Sequence, residues 1–365
     1  ENLVAKLGES TVNGAVRYRQ GGVPELLVDV RSDSIVLPPP AAEGAADYDP
    51  APEYSDGRLI PDLPVPLDAM KKLNARVAVD IREFRRDALR LRNVRFRAEL
   101  RDQTLDVSDA GFEALSGRLD ARLYVTPVDD KASVHLQLQA RDFALGLSPT
   151  NRDAAMKGRI DVDLHGTGDN LRSVMADSSG VLYVDLRGGR VAKNHLFHAL
   201  YGDLLNEVIS TINPFYRRDQ FTPFECIVLP IRINKGIAGG DPYTYIETDK
   251  IRINLKSNIN LRTEKIDINV RTTPRQALGI SAGELLNPYI KVVGTLAKPR
   301  LAVDEEGVLL SGGAAVATGG LSVLARAAWD RVSQSGDECQ KTADEGLAAL
   351  GAQLPVLKPA RSSGK

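Results

Sequence analysis

Val134-His135-Leu136-Gln137-Leu138-Gln139-Ala140 alternates apolar and polar residues over seven positions. In an extended chain successive side chains point to opposite faces, so this segment predicts a half-buried β-strand with one dry and one wet face. The same period of two recurs on both sides of it. Upstream it places Val77, Val79 and Ile81 on one face, then Val94, Phe96, Ala98 and Leu100, then Leu105 and Val107 after a turn at Asp102-Gln103, then Leu119, Ala121, Leu123 and Val125. Downstream come Ile160, Val162 and Leu164, then Leu182, Val184 and Leu186, then Ile227, Leu229, Ile231 and Ile233. Ile251, Ile253 and Leu255, then Ile259 and Leu261, and last Ile266, Ile268 and Val270 complete the series. Arg, Lys, Asp, Asn and Gln fill the alternate positions. The expected fold is mainly β with minor α content: an elongated, curved antiparallel sheet or groove built of repeated hairpin units. A parallel sheet covered on both faces would instead read as unbroken apolar runs.

Such a sheet has a dry face to cover, and helices are too few to cover it. The candidates are residues 196–210, a short piece at 171–176 after an Asp169 cap, and C-terminal pieces at 321–332 and 343–350. Either a second sheet packs on the first or the sheet curls into a trough with an apolar lining.

Four regions follow along the chain. Residues 1–37 read as the end of a preceding β unit. Residues 38–66 hold Pro38, Pro39, Pro40, Pro50, Pro52, Pro61, Pro64 and Pro66 and read as a loop or linker, because proline lacks the ladder donor. Residues 67–310 form the main β domain, and 311–365 a Gly/Ala-rich tail with short helices, disordered after Pro355. A weak repeat relates Ser10–Tyr18 and the two strands after it to Ala114–Arg122 and the two after that, as a stack of hairpin units would require.

Charge is balanced, 47 Lys+Arg against 48 Asp+Glu, which gives no net pull toward nucleic acid. No run of about 18 apolar residues occurs, so no helix of this chain is expected to span a membrane, and without a starting Met or a signal-peptide pattern it reads as a piece of a longer protein whose targeting segment lay upstream. Two cysteines, Cys226 and Cys339, exclude a four-thiolate metal centre. They pair as a disulfide in an oxidising compartment and stay thiols in a reducing one, and the residues leave both open.

No catalytic constellation stands out, and the expectation is a protein that is no enzyme and carries no cofactor. His195 and His198, with Asp203 and Glu207, have helical spacing but lack the His-Glu-x-x-His pattern of a metal site, and His135 and His165 fall on strands. Gly166-Thr167-Gly168 has neither the third glycine of a dinucleotide loop nor a following Lys-Ser/Thr, and it reads as a turn. No Gly-x-Ser-x-Gly elbow is present. Aromatic residues are only 5% of the chain, too few for the stacking platforms of a sugar cleft.

Three stretches resemble the C-terminal region of the AsmA family. They are Arg97–Leu105 leading into Leu115-Ser116-Gly117-Arg118-Leu119; Leu164–Ala176 with Ser179–Val184 and Gly189-Arg190-Val191; and Phe224–Ile237 with Val293-Gly294-Thr295-Leu296-Ala297-Lys298-Pro299-Arg300. The resemblance spans about two thirds of the chain and lies in the order of the stretches. It implies an inner-membrane-anchored protein with this region on the periplasmic side in a Gram-negative bacterium, engaged in outer-membrane biogenesis. Larger relatives look like β-grooves that carry phospholipid.

On that reading the lining would comprise Val94, Phe96, Leu119, Leu123, Val134, Leu136, Leu138, Ile160, Val162, Leu182, Val184, Ile251, Ile253, Ile266 and Ile268. The implied partners are a phospholipid or other acyl-chain lipid and proteins of the envelope. The alternative is a structural scaffold that docks envelope proteins and binds no lipid.

Overall fold

The computed structural model describes residues 2–7, 10–37, 56–86, 89–114, 117–145, 156–192, 221–239, 243–249, 251–274, 290–303 and 337–357. Seventeen strands form one sheet. They are β1 (Asn2–Leu7), β2 (Ser10–Arg19), β3 (Glu25–Leu37), β4 (Asn74–Arg86), β5 (Leu89–Arg101) and β6 (Thr104–Ala114). Next come β7 (Gly117–Val128), β8 (Lys131–Leu145), β9 (Met156–Gly168), β10 (Ser179–Ala192), β11 (Phe221–Asn234) and β12 (Ile237–Gly239). The last five are β13 (Thr244–Thr248), β14 (Ile251–Asn260), β15 (Lys265–Pro274), β16 (Ile290–Thr295) and β17 (Pro299–Val303). Strands next in sequence are next in space, save that β12 and β13 share one position between β11 and β14. The run at Ile259 is not a separate strand but the end of β14.

The alternation is therefore realised as an elongated, curved and mostly antiparallel sheet, with one exception to the expected meander. β3 and β4 are parallel, Glu25 lying beside Asn74 and Val30 beside Val79. The intervening residues return the chain to the end at which β3 began, where the Asn74 N–H donates to the Pro24 carbonyl at 2.9 Å. Hairpin turns are tight. Asp102 and Gln103 (φ 48° and 68°) and Lys235 and Gly236 (φ 45° and 77°) are left-handed pairs, the turn whose twist matches that of the strands it joins.

Among the described residues three α-helices decorate the sheet: α1 (Leu67–Lys72), α2 (Leu171–Asp177) and α3 (Glu338–Leu350). α3 starts five residues earlier than the apolar spacing suggests, where the Asp337 side chain accepts from the Gln340 N–H. α2 is capped by Asn170 rather than Asp169. The Asn170 side chain accepts from the Ser173 N–H (2.8 Å) and the Ser173 hydroxyl accepts from the Asn170 N–H, a reciprocal capping box. Gly166-Thr167-Gly168 is not a turn but the last part of β9. Its glycines are needed because α2 folds back onto the strand: a Cβ at Gly166 would lie 2.4 Å from the Val174 carbonyl oxygen, and one at Gly168 2.2 Å from Ser173 Oγ. The helices expected at 196–210 and 321–332 lie outside the described residues.

Residues 56–66, expected as part of a linker, run along the edge of the sheet where the turns at 102–103, 235–236 and 261–264 lie. The buried Glu264 carboxylate accepts from the N–H groups of Leu59 (2.6 Å) and Ile60 (3.1 Å) and from Arg58 Nε (3.1 Å). Arg172 of α2 donates to the Ile60 carbonyl, Val65 N–H to Asp169 and Leu171 N–H to Leu63. Met70 of α1 then packs with Val125 and Ala132. This segment is a strap from the β14–β15 turn to the β7–β8 hairpin. At the other terminus, Leu357 is buried and its N–H donates to Gln139 Oε1, so order continues past Pro355.

Candidate functional site

Strand pairing brings all fifteen residues of the expected lining to one face. Val79, Phe96, Ala110, Ala121, Leu138, Val162, Leu182 and Ile231 stand opposite one another on eight successive strands, β4 to β11. A neighbouring row runs through Leu119, Ala140, Ile160, Val184 and Leu229. Ile227, Ile246 and Ile253 carry the face onto β14, and Ile259 with Ile266 carries it onto β15. From β4 to β15 these rows cross eleven strand positions, which at about 4.8 Å make an aliphatic surface roughly 50 Å long, measured along the sheet.

Its covering is uneven. Ile251, Ile253 and Ile266 are 5%, 2% and 6% exposed and form a filled core with Val270, Ile290 and Val292. These three are core residues and not part of an open lining: they pack with Val270, Ile290 and Val292 and with the partly buried Ile246, Leu255, Leu296 and Leu301. The other twelve candidates are half-buried, and toward the first strands Val16 and Tyr18 reach 36% and 64% exposure. Among the described residues every strand belongs to the one sheet, so no second sheet lies over this face. α1 covers part of it at the strap edge, beside Leu123 and Val134, and Met175 of α2 does so beside Leu164 and Leu182.

The opposite face is a ladder of ion pairs. Asp161, fully buried, is held by Arg141 (2.5 Å) and Arg159 (2.7 Å), and Asp120 by Arg95 (2.8 Å) and Arg118 (2.6 Å). Arg97 pairs with Asp80, Arg187 with Asp185, and Arg252 with Glu247. These paired charges keep one face solvated along most of its length.

Among the described residues that polar face has an apolar interruption, which period-two reading passes over because it falls on the wet side of each strand. Val181, Tyr183, Cys226, Val228 and Tyr245 are buried there beneath α3. Cys226 on β11 is joined to Cys339 in the first turn of α3 by a disulfide, which closes a separation of 113 residues. Burial pushes the Tyr183 phenol up to about 12, and its hydroxyl donates to the Ala343 carbonyl at 3.2 Å. Tyr245 is raised as well, by burial and by its hydrogen bond to Glu247.

The remaining polar candidates do not assemble into a reactive centre. His135 and His165 face each other across β8 and β9 with ring centroids 6.4 Å apart, and His135 Nε2 is 2.8 Å from Asp163 Oδ1. His195, His198, Asp203 and Glu207 lie outside the described residues. One group of possible metal donors appears among the described residues, Cys226, Glu247 and Cys339, and its two sulfurs are bonded to each other and offer no thiolate. Sequence reasoning missed Glu264 and the patch beneath α3, whose partners lie far along the chain. No protein-family model matches this chain, and neither a curated protein nor a solved structure does.

Proposed function

We propose that this chain is a non-catalytic lipid-handling module of the bacterial cell envelope, in which the aliphatic face shelters the acyl chains of a phospholipid. The observation that carries the reading is the half-buried state of Phe96, Leu136, Leu138, Ile160 and Val162 in the middle of a continuous apolar face. A leucine in a closed core is covered from above. Among the described residues these are flanked by their neighbours with no element packed on the outer side, a partial exposure that an acyl chain would offset by about 0.8 kcal/mol per buried methylene.

Two further features support it. Val, Ile and Leu dominate the face and polar groups that would fix one orientation are absent from its central rows, which suits a sliding chain better than a shaped small molecule. The paired charges opposite would keep the module in water while the lipid stays dry. With the AsmA-like order of motifs, this favours placement on the periplasmic side of an inner membrane, in a protein that serves outer-membrane assembly.

The test is native mass spectrometry with lipid extraction on the purified protein and on Leu136→Asp. Phospholipid on the wild type and its loss from a folded variant is the expected result. A stable, lipid-free wild type that keeps its fold would instead favour a scaffold that docks envelope proteins, a role to which the filled core at β14 to β17 is suited.

A further inference from the structure

The cover over the second apolar patch is held by one covalent bond, a narrow apolar stripe and a few polar attachments. The buried stripe of α3 that meets the sheet is Cys339, Ala343, Gly346 and Leu350, with Leu347 and, just beyond the helix, Leu354 partly buried beside it. Gly346 packs so closely that a Cβ there would lie 3.0 Å from Pro230 and 3.1 Å from Tyr183. The polar attachments include Arg187 to the Cys339 carbonyl (3.1 Å), Arg232 to the Ala349 carbonyl (3.0 Å) and Gln139 to Pro355 and Leu357. Both arginines are partly open to solvent, where such bonds exchange readily with water. A 13-residue helix is marginal by itself, so its place depends on what ties it down.

We propose that α3 with residues 351–357 is a redox latch. Reduction of the Cys226–Cys339 bond releases it and bares Val181, Tyr183, Val228 and Tyr245 as an apolar surface on the otherwise polar face. Cys226 is 0% and Cys339 6% exposed, so an attacking thiol reaches the sulfurs only when the helix lifts. The reductant is a dithiol. One of its thiolates attacks Cys339 Sγ, the S–S bond breaks, and Cys226 leaves as a thiolate that takes up a proton. The second thiol of the reductant then displaces Cys339, which is protonated in turn. Two electrons and two protons pass to the protein, and the dithiol ends as a disulfide.

Glu247 restrains this exchange. Its buried carboxylate lies 3.3 Å from Cys339 Sγ and within 4.8 Å of both sulfurs, where its charge repels an incoming thiolate and disfavours the departing one. It is a positioning residue for the latch, itself held by Tyr245 (2.9 Å) and Arg252 (3.3 Å).

The experiment is timed reduction of the full chain by dithiothreitol at pH 8. Free thiols, tryptic cleavage after Lys341, cleavage after Glu345 and the far-ultraviolet strand signal are followed together. Reduction is expected to speed cleavage at both sites at least tenfold with the strand signal intact, and Cys226→Ser/Cys339→Ser should match the reduced protein without reductant. Glu247→Gln should be reduced severalfold faster than the wild type. Protection of both sites after complete reduction would overturn the proposal, as would loss of the strand signal together with the helix. If the double variant does not accumulate folded, reduction of the folded wild type decides alone.

Discussion

Leu138 and Ile253 are alike in sequence, each an aliphatic residue in an alternating run, yet Leu138 is half-buried and Ile253 is 2% exposed. Alternation shows which face a side chain takes, and what lies above that face is set by the path of the rest of the chain. The two should respond differently to charge. Leu138→Asp is expected to cost no more than about 2 kcal/mol, since the carboxylate can stay wet, whereas Ile253→Asp buries a charge among five buried isoleucines and valines and should cost more than about 4 kcal/mol. Urea unfolding of both in one buffer checks this. Tyr183 gives a pH test. Its folded-state value, near 12, lies above the value of about 10 in the unfolded chain, so its contribution is complete below about pH 10 and is lost as pH rises toward 12. Tyr183→Phe should remove that part of the alkaline decline, seen as a flatter stability curve between about pH 10 and 12.

At the scale of elements, most strands were legible because their dry faces are regular, and the departures have local causes. Between Val107 and Ala110 the register with β7 shifts by one residue, a bulge that keeps both on the dry face although they are three apart. Alternation read rigidly puts Ala110 on the wrong side. A second bulge, between Ala140 and Phe143, does the same on β8. The parallel pair β3–β4 was hidden because the path of the intervening chain, and not the pattern of either strand, sets their relative direction. The glycines before α2 signalled a turn, but their cause is close packing of helix on strand. Gly168→Ala should therefore push α2 off β9 at a cost of about 1–3 kcal/mol, while Gly22→Ala, which has no atom within 4 Å of the added carbon, should be close to neutral. Thermal unfolding of the two, with amide exchange in α2, separates these outcomes.

On the scale of the whole molecule, the sheet is one apolar face and one ion-paired face, with three attachments that period-two reading did not reveal. The strap fastened by Glu264 dresses the edge where the turns lie, β14 to β17 fill their own end, and α3 closes the patch on the polar side. Among the described residues, no helix or second sheet packs over the middle of the aliphatic face or its approach from β2 and β3. Leu138 and Gln137 are neighbours on β8 that point to opposite faces, which makes them a matched pair for the most direct measurement. A photo-crosslinking amino acid at each position, with the protein irradiated in the presence of phospholipid vesicles and analysed by mass spectrometry, reports which face meets lipid. The account predicts a phospholipid adduct at 138 and none at 137; equal labelling at both, or none at 138, would contradict it.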